Sequence, residues 1–420
     1  MITSIALKAV LTLLLVMTTS FPSTRSNIAK KGRYVFSQVL DFLPRFQFDR
    51  LVIKYRGDWH SKDLNCYNQL LHLLFGQLTG CDSVRDICLC LGAHENILYH
   101  LGFRNTVNQS SLSRANEKRD CRIYEEFGAL LIAMVRPLYS KEGVSEVTID
   151  NVLYALDSTT ISTSIKLAAW ALGKYSKGAV KMHTLLSLRG SIPANIHVTD
   201  GKWHDSNELD YLDPEPLAFY MMDKAYVDFE ALYRFHKAGA FWISRPKDNM
   251  RYEVIDHRSD FDTKTGIRAD FTIRLTTPKS RKLYPEPIRM VVYYDKETDN
   301  EVVFITNNFE ISALEVANLY RHRWDIEVFF KWIKQNIVVK TLWGYSENAV
   351  KIHLWVAIIA YLLIARAKAA CNSPYSITEV ATLIRVSALE RTPLRELITR
   401  PNPSVILNQS VKEPTLFDNL

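Results

Sequence analysis

The feature that most constrains this chain is a change of texture near residue 150. From residue 31 to 145 apolar residues recur at helical spacing; beyond it, short β-type runs alternate with helices. "NVLYALDSTTIS" predicts a buried strand ending near Asp157, and "KMHTLLSLRG" and "PANIHVTDG" predict two more. "LAFYMMDKAY" is a fourth, with Asp223 at its end; "VDFEALYRFHKAG" follows as a helix and "AFWISRPKD" as another strand. Residues 250–309 hold further β-type runs, "FTIRLT", "MVVYYD" and "VVFITN", between charged turns. "ISALEVANLYRHRWDIEVFFKWIKQN" then predicts one long helix, opened by a capping box of Ser312 and Glu315.

In the helical part, "NCYNQLLHLLFGQL" has amphipathic spacing, and "SVRDICLCL" starts with Ser83 and Asp86 three residues on, like a capping box. "NQSSLSRANEKRD" reads as a polar turn and a small helix carrying Arg114, Lys118 and Arg119. Two readings stay open for it: the second helix of a helix-turn-helix, or a solvated basic face.

The chain's 420 residues leave room for two or three domains, and a formal charge of +7 is a mild pointer to a polyanionic partner. Six cysteines form no CxxC pair and no zinc spacing, which favours reduced core thiols. The leader "MITSIALKAVLTLLLVMTTSFPS" resembles a secretory signal peptide. We favour a mis-assigned start, with translation from Met17 and a cytoplasmic, nucleoid-associated protein that binds no membrane. "IHLWVAIIAYLLIARAKAA" is of marginal length for a membrane span and is flanked by charge, so a buried core helix is expected. In the tail, "EVATLIRVSALERTPLRELI" reads as helix, and Leu416 and Phe417 as a frayed end.

The stretch "YRHRWDIEVFFKWIK" poses the functional question. On a helix, Tyr320, Arg323, Glu327, Lys331 and Lys334 fall in a stripe less than about a quarter of the circumference wide. Ile326, Val328, Phe329, Phe330, Trp332 and Ile333 cover most of the rest. The plain alternative is a run of i,i+4 ion pairs, Arg323 with Glu327 and Glu327 with Lys331. A narrow polar line in an apolar wrap favours instead an anionic, metal-bound ligand in a cleft. Asp157 and Asp223, each at a strand end, are the carboxylates able to join Glu327. In an RNase H-like sheet the first and fourth strands are neighbours, and a helix packs across their ends. Three carboxylates suit two Mg²⁺ ions about 3.5–4 Å apart, which activate the nucleophile and stabilise the leaving oxygen of a phosphodiester.

Tyr320, Arg323, Glu327 and Lys334 match the Y-x2-R-x3-E-x6-K signature, so the chain resembles the IS4-type DDE transposases. "ALDSTTIS" and "MMDKAYVD" resemble the segments around that family's two aspartates, pointing to Asp157 and Asp223, with Asp200, Asp205 and Asp228 as alternatives for the second. "KGRYVFSQVLDFLPR" is similar to the start of an N-terminal domain found in a bacterial subgroup, and the likeness runs over roughly residues 31–372. The resemblance implies an α/β chain: a helical DNA-binding domain (31–145), then an RNase H-like catalytic domain (146–372) interrupted by a β-rich insertion at about 248–309. A leader (1–30) and a helical tail (373–420) flank them. It implies Asp157, Asp223 and Glu327 as catalytic ligands of two Mg²⁺, with Mn²⁺ as substitute. It further implies cut-and-paste transposition by a synaptic homodimer on double-stranded DNA, both terminal inverted repeats and target. Tyr320, Arg323, Lys331 and Lys334 would contact DNA, with Trp324 or Trp242 as a platform for a flipped base. An inactive, transposase-derived DNA-binding protein is the second reading, and an exported protein the third.

Overall fold

The computed structural model describes residues 32–61, 63–162, 179–336 and 342–400. The leader, Leu416 and Phe417 lie outside the described residues. Among the described residues seven α-helices come first: α1 (Val35–Leu40), α2 (Arg45–Lys54), α3 (Cys66–Thr79), α4 (Val84–Ala93), α5 (Leu98–Leu101), α6 (Gln109–Lys118) and α7 (Arg122–Tyr139). Side-chain caps fix several starts. Asn65, Ser83 and Asn108 each accept a backbone N–H of the first turn of α3, α4 and α6. The expected amphipathic helix at α3 is buried on nearly every side, because α4 and later helices enclose it.

The sheet comprises β1 (Leu153–Ser162), β2 (Ala179–Ser187), β3 (Ile192–Asp200), β4 (Phe219–Met222), β5 (Phe241–Ser244), β6 (Tyr252–Arg258), β7 (Ile267–Leu275), β8 (Ile288–Asp295) and β9 (Asn300–Thr306). Its order is β3-β2-β1-β4-β5-β9-β8-β7-β6. The first three strands are antiparallel, β4 is parallel to β1, and β5 is parallel to β4. The antiparallel strands β6–β9 join the same sheet through β9 against β5. Side chains alternate between two cores. Leu153, Ala155, Ile161, Met221 and Ile243 face one; Tyr154, Leu156, Tyr220, Met222 and Trp242 face the other, which α8 (Phe229–Lys237) covers with Leu232 and Phe235.

After α9 (Pro278–Leu283) and β9 come α10 (Ala313–Arg321), α11 (Asp325–Asn336), α12 (Glu347–Cys371), α13 (Ile377–Ser387) and α14 (Leu394–Thr399). As expected, α12 is a core helix: it is apolar and long enough to cross a membrane, but 89% of its most apolar window is buried. It packs against α3, α6 and α7. Gly128 permits that approach, since a Cβ there would lie 2.6 Å from the Trp355 ring. The first described helix is clasped to the segment between α13 and α14, with Val35 N–H donating to Glu390 O at 2.9 Å and Phe36 N–H to Ala388 O at 3.0 Å. One apolar core therefore runs from Tyr34 through α12 to Ile398.

Four local expectations are corrected. Strand β1 continues past Asp157 to Ser162, because it pairs with β2 along its length. Strand β6 was not foreseen; its residues are mostly exposed at the sheet edge, so no apolar alternation marks it. The single helix expected over residues 311–336 is broken by a 3-10 turn, His322–Trp324. There the His322 ring is held between Ser145 O at 2.7 Å and the Asp325 carboxylate at 3.2 Å. Finally, Ser312 caps α10, but Glu315 does not reach back; its carboxylate accepts the Thr148 N–H at 2.8 Å.

Candidate active site

The site begins with register. Leu156 pairs with Met222, and Met222 with Ser244, across three adjacent parallel strands. The next residue of each is Asp157, Asp223 and Arg245, so these three stand at one level where β4 and β5 end. Asp157 shares the parity of Ala155 and Ile161, which puts it on the face where α11 packs against β1.

Arg323, in the 3-10 turn, reaches across to that level. Its Nη1 donates to Asp157 Oδ2 at 2.9 Å and lies 3.9 Å from Glu327 Oε1. Asp157 Oδ1 accepts the Ser158 N–H at 2.7 Å. Burial pushes the Asp157 carboxyl up to about 7; Arg323 opposes the shift, and the neighbouring Glu327 adds to it. For Arg323, burial works to lower the pKa, but Tyr320, Asp157, Asp223 and Glu327 outweigh it and raise it. One guanidinium therefore serves three carboxylates.

Asp223 leads into a 3-10 turn, yet its side chain makes no capping hydrogen bond. The alternatives to it are spoken for. Asp200 accepts the N–H groups of Lys202 and Trp203 in a turn. Asp228 caps α8 through Glu230 N–H and Ala231 N–H. Asp205 accepts from Ser158 Oγ at 2.6 Å and pairs with Lys181 at 2.9 Å; burial would raise its pKa, but those bonds bring it below the ordinary value.

Other expected residues are differently placed. Tyr320 is buried against Phe304, with ring centroids 4.9 Å apart, and burial pushes its hydroxyl up to about 12. It packs beneath Arg323, whose guanidinium carbon lies 5.9 Å from its ring. Lys331 and Lys334 are exposed and have no ion-pair partner among the described residues; of the plain alternative's two pairs, Arg323–Glu327 stands at 3.9 Å and Glu327–Lys331 is not formed among them. Val328 is also exposed, so α11 has a broad solvent face rather than a narrow polar line. Trp324 is half-buried, and Trp242 is fully buried, edge-on to Tyr284. Arg119 turns inward to Gln69 Oε1 at 2.8 Å, instead of joining Arg114 and Lys118 on the exposed face.

Residues 150–363 match the family model of the transposase DDE domain. The chain belongs to the DDE transposases. Residues 31–104 match a second model, described only as a domain of unknown function. A putative transposase, y4zB, of Sinorhizobium fredii is 30% identical over 310 residues, 73% of this chain and 83% of that one. A probable transposase for insertion sequence element IS5377 of Geobacillus stearothermophilus is 33% identical over 213 residues, 50% of this chain and 55% of that one. A putative transposase for insertion sequence element IS4SA of Synechocystis is 25% identical over 270 residues, 62% of this chain and 71% of that one. The transposase is of the IS4 type, and its DDE domain implies dependence on a divalent metal.

The donor set fits such a cation by its chemistry: hard carboxylate oxygens, one of them holding its proton unusually tightly because it is desolvated. Among the described residues no three Asp, Glu, His or Cys side chains stand close enough to form a complete ligand set. Two groups escaped sequence reading. Arg245 brings a second cation beside Asp223; its signal was its position directly after strand β5, matching that of Asp223 after β4. Thr184 pairs with Asp157 across β1 and β2, and its buried Oγ1 has no hydrogen-bond partner in the described structure.

Proposed function

We propose that the transposase cuts and joins DNA strands at the ends of its own element, with Asp157, Asp223 and Glu327 holding two Mg²⁺ ions, for which Mn²⁺ substitutes. The observation that carries this is the shared level of Asp157 and Asp223 on neighbouring parallel strands, with Arg323 between Asp157 and Glu327 of α11. The strand order β3-β2-β1-β4-β5 supports an RNase H-like core, and β6–β9, inserted between β5 and α10, supports the β-rich interruption. Bound divalent cations supply an activated oxygen nucleophile and a stabilised leaving oxygen.

The chain's own residues do the rest. Asp157, whose carboxyl burial pushes up to about 7, would have to be ionised to hold a cation. Arg323 offers a fork of donors matching phosphate geometry, and Arg245 a second cation at the same edge. Tyr320 holds the Arg323 stem from below, Lys331 and Lys334 meet the DNA backbone on the exposed face of α11, and Trp324 flanks it. The partners are double-stranded DNA, terminal inverted repeats and target, and a second copy of the chain in a synaptic dimer. An inactive DNA-binding derivative is disfavoured because all three carboxylates are present with their guanidinium.

The test is cleavage of labelled element ends in Mg²⁺. Asp157→Asn, Asp223→Asn and Glu327→Gln should each lower strand cleavage at least ~10³-fold, since metal stabilisation is worth several kcal/mol. Gel-shift binding of the ends should change little. Wild-type cleavage by any one variant removes that residue from the site.

A further inference from the structure

The helical region holds a cleft of about 670 Å³, far from β1 in sequence and unused by the reaction above. That is the size of a pocket for a nucleotide-scale ligand, roughly 300–1,000 Å³. One wall is α6, whose Ser111, Arg114, Ala115 and Lys118 lie at i, i+3, i+4 and i+7 and so share a face. The other wall is the loop after α2, bearing Arg56, Trp59 and His60. Trp59 is 70% exposed, an unusual place for so large an apolar ring. It stands between two non-glycine residues in left-handed backbone, Arg56 at φ +50° and His60 at φ +58°. Such backbone costs on the order of 1–3 kcal/mol per residue and persists where a side chain must be presented in a set direction.

Charge points the same way. Arg56, Arg114 and Lys118 have no carboxylate partner among the described residues, and of the two acids lining the cleft Asp120 is taken by Arg122. The shape decides between two forms of DNA. A helix that reads a duplex must project into a major groove about 12 Å wide. Here the basic face of α6 shares its cleft with the Arg56–His60 loop rather than standing clear as a helix entering a groove would, which favours a single strand. Grooves for single strands combine backbone-tracking cations with an aromatic platform for bases.

We propose that this cleft binds an unpaired segment of DNA strand, a base stacking on Trp59 and phosphates lying at Arg114 and Lys118. The proposal takes from the transposase reading only that the ligand is DNA. The test is fluorescence anisotropy of the full chain with a labelled single-stranded oligonucleotide and with a blunt duplex of the same sequence. Trp59→Ala should weaken single-strand binding by roughly 5- to 100-fold, with Trp59→Phe restoring most of it. Lys118→Ala should lower the salt slope for the single strand by about 0.7. Blunt-duplex affinity should stay unchanged in both. A Glu327→Gln chain, even if dead in cleavage, should bind the single strand normally, which separates this proposal from the catalytic one. Unchanged single-strand affinity in Trp59→Ala, an equal loss on the duplex, or loss of single-strand binding in Glu327→Gln overturns it.

Discussion

Two Asp–Arg pairs sit on this sheet, one buried and one half-buried, and they are built differently. Between β7 and β8, Arg289 meets Asp270 fork to fork, Nε to Oδ1 at 3.0 Å and Nη2 to Oδ2 at 2.7 Å. Its remaining nitrogen donates to Ile311 O at 2.6 Å, and both side chains are only 2% exposed. At the end of β4, Arg323 gives Asp157 a single short contact and shares its charge with Glu327 and Asp223. The first pair is satisfied and closed. The second is shared and open on one side, and burial, opposed by Arg323 and aided by Glu327, pushes the Asp157 carboxyl up to about 7. A complete pair ties one edge of the fold; an incomplete one is a place for a ligand.

Exchanging the two arginines for alanine should break that contrast open. Arg289→Ala leaves the buried Asp270 with only the longer 3.8 Å contact to Arg258, so stability should drop by about 3–5 kcal/mol. The melting temperature should fall by roughly 10 °C in calorimetry, with cleavage lost only as the fold is lost. Arg323→Ala should do the reverse, lowering cleavage by about 10²-fold with a melt close to wild type, because Asp157 can take up a proton where Asp270 loses its fork. A normal melt with dead catalysis in Arg289→Ala would place that residue in the reaction.

A smaller effect sharpens the same point through pH. The folded Asp157 carboxyl titrates at about 7, against 3.8 for an ordinary one, so the folded state favours its protonated form. Its stabilising contribution is present below pH 3.8 and lost as pH rises through 7. In metal-free buffer the wild-type melting temperature should therefore decline between pH 5 and 8 by an amount that Asp157→Asn reduces by about 2–4 °C. Identical pH profiles would mean that burial does not raise the Asp157 carboxyl. The smallest effect is at the rim: Lys334→Ala should reduce the salt slope of duplex end binding by about 0.9, with cleavage of bound ends intact. An unchanged slope would leave Lys334 as a solvated surface charge.

Much of this was legible beforehand, for particular reasons. The apolar runs at residues 153–162, 179–187 and 192–200 are long enough to mark themselves as strands, and Ser83 and Ser312 cap where their side chains permit. The spacing Arg323-x3-Glu327 puts two groups on neighbouring helical turns whatever surrounds them. Less visible were the break at His322, which depends on Ser145, and the destination of Glu315, which depends on Thr148. Both partners lie more than a hundred residues away, and no local pattern records them.

The sequence by itself determined which segments could be strands and helices, because alternation, helical spacing and caps are properties of a few neighbouring residues. It also supplied the acids and the arginine of the site, as side-chain types at particular positions. The tertiary structure decided which of them share a level, which carboxylate is desolvated, and that α6 faces a cleft. Those outcomes depend on strand register and on burial, and both are set by residues that are distant along the chain and adjacent only after folding.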